Sequence, residues 1–329
     1  MRDIILEQVE RLLSEQGGVA LLRRVEAGEW PASLWAQCEE LGLPLALVPE
    51  EAGGVGLSWA DAAALWQVLG RHAAPLPLGE AMLANALLAG AGLEPGAGFV
   101  TLGTHHAPFG RHAAAVLRHD RGHVALHIPE SHTAGANIAR EPRDRLTPGA
   151  MIAEGQLPNA WGARAVKLGL ALLRAALMSG AAQHALALAV DWANTRTQFG
   201  RAIGKFQAVQ QSLAVVAGEV AALDVAVAAA ARAVDARGME AASFEIACAK
   251  VMAGEAAQIV AARVHQVFAA IGITEDHELH HFTRRLWAWR DEAGSGVTWA
   301  HEIGRAAMER GGARLWADLT ARDVEGTTA

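Results

Sequence analysis

The residues best suited to chemistry lie together in one stretch, Asn194-Thr195-Arg196-Thr197-Gln198-Phe199-Gly200-Arg201-Ala202-Ile203-Gly204-Lys205-Phe206-Gln207. Two arginines, two glutamines and two threonines interrupt the alanine- and leucine-rich sequence on either side. A bare link between helices needs none of them. Arginine presents paired donors that match phosphate oxygens, so Arg196 suits a pyrophosphate. Thr197, Gln198 and Gln207 add hydrogen-bonding groups. Phe199 and Phe206 add aromatic anchors. Gly200 lets the backbone turn tightly and approach a ligand closely. The stretch reads as a turn that grips an anionic, partly aromatic ligand. An Asn-capped, Gly-broken helix junction is the plainer alternative.

Three histidines in five residues, His277, His280 and His281, raise the question of a metal. His277 and His281 stand four apart, as zinc ligands on a helix do. The His-Glu-x-x-His order is missing, because Glu278-Leu279-His280 follows His277. A solvated helix face is the better expectation, and no metal is assigned. Cys38 and Cys248 lie far apart with no metal or redox spacing. Each falls in an apolar helical pattern, so both are expected as buried thiols in a reducing cytoplasm.

The elements around these residues follow from periodicity. The 329 residues are 52% hydrophobic and 19% charged, which describes a folded chain with a sizeable core. A net charge of −7 without a long basic run speaks against nucleic acid as a partner. The N-terminus starts an amphipathic helix and not a signal peptide. The long apolar runs are broken by Arg174, His184 and Asp191, so they read as buried helices and not membrane spans. Residues 1–94 read as helices around one loop, where Pro49, Gly53, Gly54 and Gly56 force a turn and Ser58 can cap the next helix. Residues 95–157 lose helical periodicity. Short apolar segments at Phe99–Leu102, Ala114–Leu117, His123–Ile128 and Met151–Ala153 alternate with turns such as Asp120-Arg121-Gly122, which predicts a small antiparallel β-domain. In residues 158–329, Val166, Leu170, Leu173 and Leu177 step at helical spacing. So do Val209 to Val227 and Val260 to Ile271. They predict an antiparallel helix bundle, with a tail that frays after Arg314.

Arg196-Thr-Gln-Phe-Gly200, Ile203 and Phe206-Gln207 resemble the signature of the acyl-CoA dehydrogenases. The likeness covers most of residues 1–90 and 156–290. It implies a mainly α fold: a helical N-domain, a reduced β-barrel-like middle domain and a C-terminal four-helix bundle. It also implies that the 194–207 turn meets the FAD of a neighbouring subunit, through Arg196, Thr197, Gln198, Phe199, Phe206 and Gln207. A second segment, His265 to Thr274, resembles the family's Gln-x-x-Gly-Gly-x-Gly run, whose backbone amides meet a flavin pyrophosphate. Gln266 and Gly272 match, and Ala269 and Ala270 replace the glycine pair. The middle region lacks the family's Thr-Glu-Pro…Gly-Ser-Asp and Trp-x-Thr-Asn segments.

In that family a carboxylate removes the α-proton of an acyl-CoA thioester, and the flavin takes the β-hydride. Counting eighteen residues on from Thr274 lands on Glu292 as the implied base. Burial against Trp287 and Trp289 is expected to raise its pKa. The resemblance implies a cytoplasmic FAD-dependent acyl-CoA dehydrogenase that desaturates an acyl-CoA substrate, as a homo-oligomer or as a heteromer with a related subunit. The shortened middle region and the alanine pair equally suit a non-catalytic subunit that completes a partner's FAD site. An oxidase or hydroxylase on the same fold is a third reading.

Overall fold

The computed structural model describes residues 2–96, 98–103 and 105–321. Five helices come first: α1 (Arg2–Gln16), α2 (Val19–Glu26), α3 (Ala32–Glu40), α4 (Trp59–Arg71) and α5 (Leu78–Gly90). Ser58 caps α4 as expected, its hydroxyl accepting from the Asp61 amide at 3.1 Å. The first two donors of that helix end are satisfied from far along the chain. The Asp235 carboxylate accepts from the Trp59 and Ala60 amides at 2.7 and 2.9 Å.

A five-stranded sheet follows, made of β1 (Val100–Leu102), β2 (Ala107–Pro108), β3 (Ala115–Asp120), β4 (His123–Thr133) and β5 (Arg143–Gln156), in the order β1-β3-β4-β5-β2. The β3–β4 hairpin turns on Arg121 and Gly122, both at positive φ, the twist that two-residue hairpin loops favour. One pairing departs from the antiparallel expectation. β1 runs parallel to β3, because the chain crosses through β2 and a short helical turn before it returns beside β1. α5 is buried nearly all round. Leu83, Leu87 and Leu88 pack with Val100, Leu117 and Leu126 of the sheet.

The bundle consists of α6 (Ala165–Thr195), α7 (Gln207–Arg237), α8 (Ser243–Phe268) and α9 (Leu279–Asp291), with a hairpin of β6 (Thr197–Gln198) and β7 (Arg201–Ala202) between α6 and α7. α10 (Gly296–Arg310) and α11 (Gly312–Thr320) complete the described chain. α11 is an ordered helix within the tail expected to fray, tied back by Arg310 to Asp318 at 2.6 Å. The part of that tail beyond Ala321 lies outside the described residues. Cys38 is buried as expected, whereas Cys248 is half-buried.

α6 is the central helix, with alanine and leucine buried along most of its length. The expectation of buried helices fails for α7. Of its most apolar window only 28% is buried, against 83% in α6, and Val225 is 68% exposed. α7 is an outer helix, so its inward stripe of Val216, Val220, Leu223 and Val227 is covered, and Val215, Ala221, Ala222 and Val225 on its outward face are not.

Two glycines let α4 and α6 lie almost backbone to backbone. A Cβ added at Gly180 would sit 1.9 Å from the Gln67 carbonyl oxygen, and one at Gly70 would sit 2.0 Å from that of Leu177. Backbone cannot give way as a flexible side chain can. Gly180→Ala is therefore expected to cost about 1–3 kcal/mol, the scale of overpacking. Urea denaturation measures it, and an unshifted midpoint would show that the two helices separate freely.

Candidate functional site

Two groups of residues carry chemistry, at different places in the bundle. The first is built where α6, α7 and α8 meet. The β6–β7 hairpin pairs Thr197 with Ala202 and Gln198 with Arg201. Phe199 and Gly200 form its turn, both at positive φ. That conformation disfavours an aromatic residue, and it sends the Phe199 side chain outward, 91% exposed. Phe206 stands edge-on to Phe199 at 6.1 Å, and the Arg201 guanidinium lies 4.2 Å from the Phe206 ring. Arg196 lies over Trp192 at 6.0 Å. Gln207 opens α7 and is exposed.

Trp192 also stacks on Phe268, the last residue of α8, with centroids 5.2 Å apart. The hairpin and the 3-10 turn Ala269–Ile273 thus share one end of the bundle. Ala269 takes φ 55° and ψ −140°, a backbone region that glycine occupies at no steric cost and alanine does not. Ala270 and Gln266 are exposed and Gly272 is buried. A Cβ at Gly272 would lie 2.8 Å from that of Phe268. The side chains of Arg196, Gln198 and Gln266 are exposed and have no hydrogen-bond partner among the described residues. Such a set of open donors beside an open aromatic ring fits a dinucleotide with a pyrophosphate.

The second group surrounds Glu292, just past the other end of α9. That helix of 13 residues is about 20 Å long at 1.5 Å per residue, so it separates Glu292 from the first group. Arg143 donates to Glu292 from Nε at 2.9 Å and from Nη2 at 3.1 Å. Arg174 donates from Nε at 2.6 Å, and Asn137 from Nδ2 at 2.9 Å. Further pairs extend the cluster. Arg174 reaches Glu80 at 2.7 Å, and Arg143 reaches Glu141 at 3.0 Å. Arg285 lies 3.3 Å from Glu141 and 3.1 Å from Glu26. Glu26 also holds Arg284 at 2.9 Å and His281 at 3.0 Å. Asp144, fully buried, fixes the start of β5 next to Arg143 by accepting from the Arg111 and Gly135 amides.

The cluster leaves little space. The cavity lined by Glu80, Glu141, Arg143, Arg174, Leu177 and Trp289 holds about 20 Å³, room for roughly one water.

Residues 2–94 match the acyl-CoA dehydrogenase N-terminal domain and residues 161–308 the C-terminal domain. Acyl-CoA dehydrogenase IpdE2 of Mycobacterium tuberculosis is 32% identical over 303 residues, covering 86% of this chain and 90% of that protein. The chain belongs to the acyl-CoA dehydrogenase family. Its members are oxidoreductases acting on CH–CH donors. Two solved structures share the fold. The Tcur3481-Tcur3483 steroid ACAD G363A variant has a TM-score of 0.82 at 22% identity, covering 95% of this chain and 100% of that one. The ChsE4-ChsE5 complex from Mycobacterium tuberculosis has 0.81 at 22%, covering 92% and 96%.

Within this acyl-CoA dehydrogenase the electrostatics of Glu292 run opposite to the expectation. Burial by itself raises a carboxyl pKa. Here the charges of Arg143 and Arg174, and hydrogen bonds from Arg143 and Asn137, outweigh it and hold the group at about 2. The tryptophans do not wall it off. Trp289 Nε1 donates to Glu141 at 2.9 Å, and Trp287 stacks on His265 at 6.1 Å. Sequence reasoning missed Asn137, Arg143 and Glu141. Arg174 carried a readable signal, since an arginine inside an apolar helix requires a buried acid. The histidine run is not a solvated face either. His281 is 1% exposed and bound to Glu26, and His277 Nδ1 accepts from the Leu279 amide at 3.1 Å. α9 turns that side inward, against α2.

The depressed pKa fixes the sign of a pH effect. The fold favours ionised Glu292, so its contribution is complete above the unfolded value of 4.5 and is lost as pH falls toward about 2. Glu292→Gln leaves two buried guanidiniums short of an acceptor. It is expected to cost about 3–5 kcal/mol at pH 7 and much less near pH 2. Urea midpoints measured across that range test this, and equal midpoints for variant and wild type at pH 7 would refute the clamp.

Proposed function

We propose that the chain is a subunit of a heteromeric, FAD-dependent acyl-CoA dehydrogenase and completes a flavin site held mainly by a related partner. The observation that carries this reading is the state of Glu292. A proton-abstracting carboxylate needs a lone pair free to reach substrate and a pKa near the working range. Glu292 has both oxygens engaged by guanidiniums, a pKa of about 2 and a neighbouring cavity of about 20 Å³. No acyl thioester fits there.

The hairpin end of the bundle supports the other half of the proposal. FAD, when bound, supplies the hydride acceptor for α,β-desaturation of the acyl-CoA. Arg196 and Gln198 would hold its pyrophosphate, Gln266 and the backbone of Ala269, Ala270 and Gly272 would meet it from the second side, and Thr197 and Gln207 would add hydrogen bonds. Phe199 and Phe206 would pack on its aromatic part. A phenylalanine 91% exposed is costly in water and gains by insertion into a partner. The two structural neighbours named for paired chains support a heteromer over a self-contained homo-oligomer.

Visible spectra and stopped-flow flavin reduction test this. The chain purified alone is expected to be colourless, and yellow when purified with its partner. In the complex, Arg196→Ala is expected to weaken FAD retention by about 1.5–3 kcal/mol, the scale of a charged hydrogen bond. Glu292→Gln in the complex should reduce its flavin with acyl-CoA at about the wild-type rate per bound flavin. A loss of about a hundredfold, the scale of a missing general base, would return that role to Glu292. A flavin-loaded chain that turns over acyl-CoA by itself would end the partner reading.

A further inference from the structure

Five of the sixteen large apolar side chains left exposed among the described residues fall between Val297 and Leu319, on α10 and α11. Leu315, Trp316 and Leu319 share one side of α11, with Trp316 76% exposed. α11 has nine residues and none of them is buried. So short a helix is marginal in water without a packed face, and an apolar patch of this kind marks a contact. We propose that α10 and α11 form a surface for self-association, covered by the same surface of a second copy of this chain across a two-fold axis.

Shape is the first argument. A cavity of about 390 Å³ opens at the start of α10, with Val251 and Gly254 of α8 and Val297 and Ala300 of α10 among its walls. A tryptophan side chain has room there. Val297, Ala300, Gly304 and Met308 recur at helical spacing on the outward side of α10, and all four are exposed. No atom lies within 4 Å of a Cβ added at Gly304, so a second helix can come close at that point. α10 has 15 residues and is about 22 Å long. A second α10 that crosses it antiparallel at Gly304 carries the α11 behind it to the start of the first. Trp316 of each copy then meets the cavity of the other. The knob and the hole lie on one continuous surface, as a contact made twice across a two-fold axis requires.

Charge is the second argument. Val297, Ala300, Gly304 and Met308 carry none. On the rim of the cavity Asp291 is matched by Arg290 at 3.1 Å, whereas Glu255 is exposed and has no ion-pair partner among the described residues. Beside the knob, Arg314 stands 3.9 Å from an Asp318 that Arg310 already holds at 2.6 Å. The antiparallel approach sets Arg314 of one copy near Glu255 of the other. The third argument is position. Lys167, in the first turn of α6, pairs with Glu302 of α10. The β6–β7 hairpin follows the other end of α6, about 42 Å further along that helix. The surface therefore lies away from the cofactor end and does not rest on the heteromer reading. Where both hold, the assembly contains two copies of each chain.

Sedimentation equilibrium tests this on the full chain and on its flavin-loaded complex. The chain alone is expected as a dimer, and the complex is expected to hold two copies of it. The doubly substituted variant Trp316→Asp, Leu319→Asp should raise the dissociation constant between copies at least about thirtyfold, the scale of losing an interface anchor. Both side chains are exposed, so circular dichroism of the variant should match wild type and report an intact fold. A second variant, Ala300→Cys with Met308→Cys, places thiols on either side of the crossing. It should form a covalent dimer on oxidation, and wild type, with Cys38 and Cys248 alone, should not. A single copy in the wild-type complex, a dissociation constant unmoved by the aspartates, or a cysteine pair that fails to cross-link would overturn the proposal. Loss of flavin from the complex of the aspartate variant would overturn it too, because α11 would then belong to the cofactor interface. A wild-type complex without flavin would instead end the cofactor reading and leave this contact standing.

Discussion

Arg174 sits within the most deeply covered helix of the bundle, 3% exposed, and a guanidinium there stays charged at any ordinary pH. It therefore has to be neutralised by carboxylates that come from elsewhere. Glu80 arrives from α5 and Glu292 from the end of α9. Glu292 has a second oxygen to satisfy, and Arg143 from β5 meets it. Arg143 then requires Glu141, and Glu141 requires Arg285 and the Trp289 indole. One buried charge thus fixes the relative placement of N-terminal helices, sheet and bundle. Well-packed apolar residues in these places would hold the fold about as firmly. The ion pairs impose a particular geometry, since removing any member strands a charge.

That constraint separates the two chemically interesting ends of α9. At its C-terminal end the Glu292 carboxylate and the guanidiniums of Arg143 and Arg174 are turned toward one another and engaged. Lys250 shows the same habit, donating to the Trp289 and Arg290 carbonyls at 3.2 and 2.6 Å, with its pKa lowered to about 8 by burial and by the charge of Arg174. At the opposite end of the bundle the donors point outward. Arg196, Gln198 and Gln266 lie exposed around Trp192 and Phe268. A reacting carboxylate needs a polar group left partly unsatisfied inside a cavity. Here the donors left open beside the aromatic pair, Arg196, Gln198 and Gln266, are on the surface.

Much of this was legible in the sequence. The 194–207 stretch announced itself by polar residues that no helix junction requires, and its glycine sits at positive φ in a tight hairpin. Helical stripes and the Ser58 cap were readable because they depend on neighbours a few residues away. What stayed hidden depends on distant partners. Glu292 and Arg143 are 149 positions apart, so a carboxylate beside two tryptophans looked desolvated when it is clamped. The parallel β1–β3 pair and the inward turn of His281 have the same origin, since each is decided by what lies across a layer. Periodicity also reported that α7 is apolar without reporting that it lies on the outside.

The replacement of a glycine pair by Ala269 and Ala270 bears on how the cofactor end is used. Ala269 keeps the glycine-like backbone at φ 55° in spite of its methyl group, at a cost of order 1–3 kcal/mol. A turn with no task would relax to an ordinary conformation. This one is held by the buried Gly272, by Phe268 stacked on Trp192 and by His277 packed on Phe268 at 4.4 Å. The same aromatic set carries Arg196 on its other side. The strain and the hairpin are therefore one structural unit, stiffened from within and open outward. The uncovered apolar face of α7 begins beside it, with Val215 and Val225 exposed and open space over Gly218. A neighbouring helix can approach that face closely, and in doing so it would bring its own chain to the open donors of the hairpin.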